Sequence, residues 1–134
     1  MKKPIPTSIH GVLDYLSVPT LLVLPRALQW SESITNLMSG VALATLGTSL
    51  MTHYELGLLK LLPMPLHLSL DAINGTALAA APFLLGKGRN NVVTGVLLGL
   101  GAFEIGAALL TQTQPSLAER RRESQKREME IIGV

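Results

Sequence analysis

The sequence predicts an all-α membrane protein: a four-helix transmembrane bundle built from two tandem two-helix repeats, followed by a polar C-terminal cytoplasmic helix. Three observations predict it. Four apolar runs, about Ile9–Leu24, Ile34–Met51, Leu66–Leu85 and Val92–Leu110, each come close to the roughly 20 residues that cross a bilayer core. Charged residues make up 15% of the chain, against roughly 25% in soluble domains, and nine of them sit in the last twenty residues. The third observation is internal repetition. Displaced by 57 positions, Pro6, His10, Asp14 and Pro25 fall on Pro63, His67, Asp71 and Pro82. Displaced by 55, Ser39, Gly40, Ala44 and Gly47 fall on Thr94, Gly95, Gly99 and Ala102, and Ser49 falls on Glu104. The matching residues are the unusual ones rather than leucine on leucine. With two helices per copy, both copies cross in the same sense, a parallel repeat about an axis along the membrane normal.

The domain plan follows. Residues 1–112 form the membrane domain, with repeat one at about 5–55 and repeat two at about 62–112, and residues 113–134 form a charged tail. Lys2 and Lys3 before an apolar run raise the prospect of a signal peptide, but Asp14 and Pro19 interrupt that run, so the first segment reads as retained. Pro6 or Thr7 starts the first helix, and Pro25 and Arg26 lie near its end. Pro19 predicts a kink within it, as Pro82 does late in the third. Ser31 or Ser33 caps the second helix. Pro65 suits the first turn of the third, Gly86 and Gly88 end it, and Asn90 or Asn91 opens the fourth. Leu58–Leu62 is too short to span and reads as an interfacial segment. Trp30 and Tyr54 read as interfacial anchors at opposite ends of the second helix.

Ser116 and Glu119 form a capping box for a solvated tail helix, in which Glu123 and Arg127 stand at ion-pair spacing. Lys2, Lys3, Lys60 and the basic tail lie on one side of the predicted bundle. Arg26, Lys87 and Arg89 lie on the other. The asymmetry places both termini in the cytoplasm. The basic residues are not interleaved with aromatics, so nucleic acid is not an expected partner. The expected partners are the lipid bilayer and a second copy of the chain, joined through small-residue stripes. One stripe is Gly95, Gly99, Ala102 and Gly106; the other is Gly40, Ala44 and Gly47. Glu104 lies nearly opposite the first stripe, so it faces the bundle interior only if the stripe faces outward. Cysteine is absent, which excludes disulfides, thiolate metal sites and cysteine nucleophiles.

The third segment reads Asp71-x-x-x-Gly75, then, six residues on, Pro82-Phe83-Leu84-Leu85-Gly86. It resembles the SPW-repeat family of small bacterial integral membrane proteins, which carry duplicated two-helix units. The family's Ser-Pro-Trp stands here as Ala81-Pro82-Phe83, and in the first copy as Leu24-Pro25-Arg26. The resemblance implies a bacterial inner membrane location and brings no catalytic residues with it.

The chemistry-bearing residues are two His-x-x-x-Asp pairs, His10 with Asp14 and His67 with Asp71. Spacing of four puts each pair on one helix face. Ser17 extends the first face and Asn74 the third-helix face, and Glu104 is the deepest charge in the fourth segment. If the two faces converge, the four residues form a pseudo-symmetric box. Three readings are open. In the leading one, the pairs fix hairpin packing and the protein has a structural or interaction role with no cofactor. In the second, His10, Asp14, His67 and Asp71 bind a divalent metal. In the third they carry a proton or ion path. His53 and Glu55 read as solvated loop residues. No nucleophile elbow, phosphate loop or HExxH zinc motif is present, so the expectation is a non-enzyme.

Overall fold

The computed structural model describes residues 3–86, 90–115 and 117–133. They form five helices: α1 (Thr7–Ala27), α2 (Glu32–Met51), α3 (Met64–Leu84), α4 (Asn91–Leu110) and α5 (Leu117–Ile132). All five expected helices are present. The first, second and fourth are long and apolar enough to cross a membrane. The third has the length but is not among these candidate spans, and His67, Asp71 and Asn74 interrupt the Leu, Ala and Ile residues of its first half. Ser116, Lys87, Gly88 and Arg89, invoked above as a cap, a helix stop and charge markers, lie outside the described residues.

Helix ends follow the local chemistry. Pro6 precedes α1, Pro63 precedes α3, and Pro65 sits in its first turn, where a missing N–H costs nothing. Asn90 caps α4, its side chain accepting from the amides of Val92 and Val93. Ser31 occupies the cap position of α2 but makes no side-chain cap bond. Gly86 follows α3 with φ +67°, a left-handed conformation that glycine adopts without penalty. α1 runs on through Pro19 and Pro25, and α3 through Pro82.

Packing is between sequence neighbours: α1 on α2, α3 on α4, and α2 against α3. A core of Leu21, Met38, Ala42, Leu78 and Leu97 draws on all four long helices in the half of the molecule away from the histidines. The tightest contact is at Gly75 and Gly101. A Cβ on Gly101 would stand 2.4 Å from the Gly75 carbonyl, so the α3 and α4 backbones meet there. The sequence stripes do not make this contact. Gly40, Gly47, Gly95, Gly99 and Gly106 have nothing near a would-be Cβ, and Ala44 and Ala102 are exposed. Both stripes face outward, and Glu104 accordingly faces in, 5% exposed.

Beside this apolar core, the described residues combine buried polar side chains with an apolar exterior. Asp14, Thr45, Ser49, Asp71 and Glu104 are buried, while Leu16, Val23, Leu43, Ile73, Val92 and Leu109 are more than 60% exposed. An apolar exterior around polar side chains is what a hydrocarbon solvent selects. The chain is a membrane protein by length, hydropathy and this burial pattern.

One set of backbone contacts occurs twice at the histidine end. The amide of Ile5 donates to the Leu110 carbonyl, and Gln112 N donates to Ile5 O. Fifty-seven residues on, Leu62 N donates to Met51 O, and His53 N donates to Leu62 O. The approach segment of each hairpin is thus paired with the end of the other hairpin. The α2–α3 loop also finishes α2: the amides of Leu58 and Leu59 donate to Leu50 O, and that of Leu61 to Met51 O. These bonds satisfy carbonyls that the helix leaves open and leave Leu58, Leu59 and Leu61 exposed at this end of the molecule.

α5 is solvated almost throughout. It touches the rest through Glu123, which accepts from Lys60 Nζ at 2.8 Å and lies 3.3 Å from His53 Nε2. Arg127, at helical spacing, also favours the Glu123 charge, behind Lys60. Lys60 stands closer and holds the Glu123 carboxyl below the usual carboxylate range.

Candidate functional site

The first turns of α1 and α3 lie side by side, and their polar faces converge. His10, Asp14, His67 and Asp71 are 0–3% exposed. Each offers one nitrogen or oxygen within 4.8 Å of the other three. The pairing is crosswise between the hairpins. His10 Nε2 lies 3.0 Å from Asp71 Oδ2, and His67 Nε2 lies 3.0 Å from Asp14 Oδ2. His67 Nε2 is also 3.1 Å from Asp71 Oδ2 on its own helix, and His10 Nε2 is 3.5 Å from Asp14 Oδ1. The two Nε2 atoms are 3.2 Å apart, with the rings nearly perpendicular.

The far side of each ring is held by a threonine of the other hairpin or its end. Thr52 Oγ1 lies 2.6 Å from the Thr48 carbonyl and 2.9 Å from His67 Nδ1. Thr111 Oγ1 lies 2.6 Å from the Ala107 carbonyl and 2.9 Å from His10 Nδ1. A carbonyl only accepts, so each hydroxyl spends its proton on the helix and must accept from the ring. We therefore assign the Nδ1–H proton to both histidines. Both Nε2 atoms then point at the box. Carboxylate oxygens lie 3.0–3.5 Å from them, distances that call for bridging protons or for a cation in the middle.

The two carboxylates are not equivalent. Asp14 Oδ2 also accepts from Ser49 Oγ at 2.8 Å. Asp71 Oδ1 is buried with no hydrogen-bond partner. Glu104, which the sequence offset places opposite Ser49, turns instead to Ser17 across an α1–α4 groove of about 270 Å³ lined by Leu16, Leu100 and Phe103. Asn74 reaches Thr45 Oγ1 at 3.5 Å. Ser17, Asn74 and Glu104 therefore lie outside the box. His53 and Glu55 lie outside it too. Glu55 accepts from Thr7 Oγ1 at 2.6 Å, and His53 is partly exposed beside Glu123.

Tyr54 departs most from its expected place. It is fully buried rather than an interfacial anchor. Its ring centroid is 6.1 Å from that of His67, and its edge lies over Gly11, where a Cβ would come within 2.2 Å of Tyr54 Cε2. Burial, and then the charge of Asp14, push its hydroxyl well above the ordinary tyrosine value. Trp30 is half-buried and packs against the far core. The residues that sequence reasoning missed are thus Thr52, Thr111, Tyr54 and Gly11. The offset that links His10 to His67 also brings Thr52 within two positions of Thr111, and that was the available signal.

No family model, characterised protein or solved structure matches this chain.

Proposed function

We propose that this chain is a multi-pass membrane scaffold of four spans, two copies of a two-helix unit, closed on each other by the His–Asp box. The observation that carries the proposal is crosswise pairing. Each histidine meets the aspartate of the other unit, and each ring is held by a threonine from the other unit. Lipid is as apolar as leucine, so burying leucines between spans gains little transfer energy there, and association rests on packing and polar contacts. Four buried polar residues whose 3.0 Å contacts run between the two units make the paired state the one with fewer unmet polar groups. The rigid body so formed presents outward stripes, Gly40–Gly47 and Gly95–Gly106, suited to self-association or to a partner span. Extending the SPW-like resemblance, we place the chain in a bacterial inner membrane with its termini in the cytoplasm.

The test is thermal unfolding in detergent micelles of His10→Ala, His67→Ala and the double variant. Each single substitution removes one of the two imidazoles that the carboxylates share and is expected to cost about 1–3 kcal/mol. The double variant should cost less than the sum, because the two rings share partners. Unchanged unfolding in all three would remove the lock from the account.

A further inference from the structure

We infer that the box is a binding site for one divalent transition-metal ion, zinc by the chemistry of its donors, held by His10 Nε2, His67 Nε2, Asp14 and Asp71. The inference rests on the packing lock proposed above and names what fills it.

Bridging protons and a cation are the two ways to fill the box, and geometry separates them. With a proton on each Nε2, His67 Nε2–H would face Asp14 at 3.0 Å, Asp71 at 3.1 Å and the other imidazole nitrogen at 3.2 Å. One N–H serves one of these well. Two such N–H groups would sit head to head at 3.2 Å, and a single proton shared between the rings would leave a nitrogen lone pair facing a carboxylate oxygen at 3.0 Å. Around an ion the same distances are the expected ones. Four donors about 2.0 Å from a tetrahedral zinc stand about 3.3 Å from one another. The short contacts here run from 3.0 to 3.5 Å when either oxygen of Asp14 is counted, and one donor from each residue lies within 4.8 Å of the others.

The surroundings point the same way. A metal-bound imidazole typically donates its other N–H to a fixed acceptor, which sets the tautomer and aims the ring. Thr52 and Thr111 do this for His67 and His10, each hydroxyl being tied to a helix carbonyl. The buried, unpartnered Asp71 Oδ1 gains a partner if that carboxylate closes on the ion with both oxygens. Two neutral imidazoles, two carboxylates and a divalent ion are together neutral, which a low-dielectric setting requires. Two nitrogens and two carboxylate oxygens select a borderline ion such as zinc over magnesium or calcium, which prefer oxygen, and over copper(I), which prefers sulfur. Four protein donors make a closed site, so the ion's work is to hold the two units together.

The experiment uses the untagged full chain in micelles, its metal content measured as purified, then stripped with a chelator and titrated with zinc and with cobalt(II). The expected result is saturable uptake of one ion per chain, with the visible absorption of tetrahedral cobalt and a higher unfolding temperature on zinc addition. Asp14→Asn with Asp71→Asn keeps the shape of the box and should weaken uptake by at least about 100-fold, and Thr52→Val by about 10–100-fold. Wild-type protein that takes up neither ion at one per chain overturns the site, as does uptake that the asparagine variant leaves unchanged. The uptake measured on wild type decides the matter even if a variant misfolds. Metal-free protein still destabilised by His10→Ala leaves the packing lock standing without its ion; insensitivity to both removes the two together.

Discussion

At the scale of single residues, the box depends on what is missing as much as on what is present. Gly11 has no side chain because the Tyr54 ring lies where one would be, and Tyr54 in turn lies against His67. Gly11→Ala forces that ring to move and is expected to destabilise the protein by about 1–3 kcal/mol, as overpacking of a filled core does. Gly40→Ala is the matched control. Nothing stands near its Cβ, so thermal unfolding in micelles should show no loss and a gain of up to about 1 kcal/mol from helix propensity. The histidines and aspartates were readable in the sequence because ionisable residues are rare in apolar runs. Thr52 and Thr111 were not. A threonine at a helix end is ordinary, and its role depends on a ring that arrives from the other hairpin.

At the scale of elements, the helices were readable to within about three residues, since length, apolar runs, Pro6, Pro63 and Asn90 are local signals. The contact between α3 and α4 was not. The repeated glycine stripes suggested close approach, yet Gly75 and Gly101 make it. These two do not recur in the first copy, where Val18 and Leu46 stand at the corresponding offsets. α5 shows the same limit, since helical spacing points to Arg127 but not to Lys60, 63 residues away, which donates to Glu123. The Glu123 carboxyl is held below its ordinary value by Lys60, so its ionised form favours docking. That contribution is complete above the ordinary glutamate value of about 4.3 and is lost as pH falls through the lower docked value. A spin-label pair at Leu58→Cys and Gln125→Cys should keep a narrow distance distribution at neutral pH and broaden only below about pH 4. Glu123→Gln should broaden it at neutral pH and speed tryptic cleavage within α5 by about two- to five-fold, the size of a surface ion pair.

At the scale of the molecule, the two hairpins share an apolar core toward one end and polar contacts at the other, the histidine end. The start of α1, the α2–α3 loop and the α4–α5 junction meet there: Thr7 donates to Glu55, Tyr15 to the Leu56 carbonyl, and Gln112 to the Lys3 carbonyl. The turn carrying Gln29 and Trp30 lies at the other end of α1. The chain has no cysteine, so single cysteines can map this arrangement in a membrane. Leu58→Cys and Gln125→Cys should react with an impermeant thiol reagent from one side, and Gln29→Cys from the other. Reaction of Leu58→Cys and Gln29→Cys from the same side would refute the spanning arrangement.

The crosswise holding of the rings also sets an order in time. His10 is made among the first residues of the chain, and the hydroxyl that receives its Nδ1 proton belongs to Thr111, 101 residues later. Its carboxylate partner Asp71 comes 61 residues later. In the proposed four-span arrangement, the first hairpin waits in the bilayer with Asp14 held by Ser49 and with His10 lacking both of these partners until α3 and α4 have been synthesised and inserted. Truncation anywhere before Thr111 leaves that exposure permanent. A ribosome that stalls late therefore produces a chain visibly unfinished to any membrane protease that recognises polar groups in lipid.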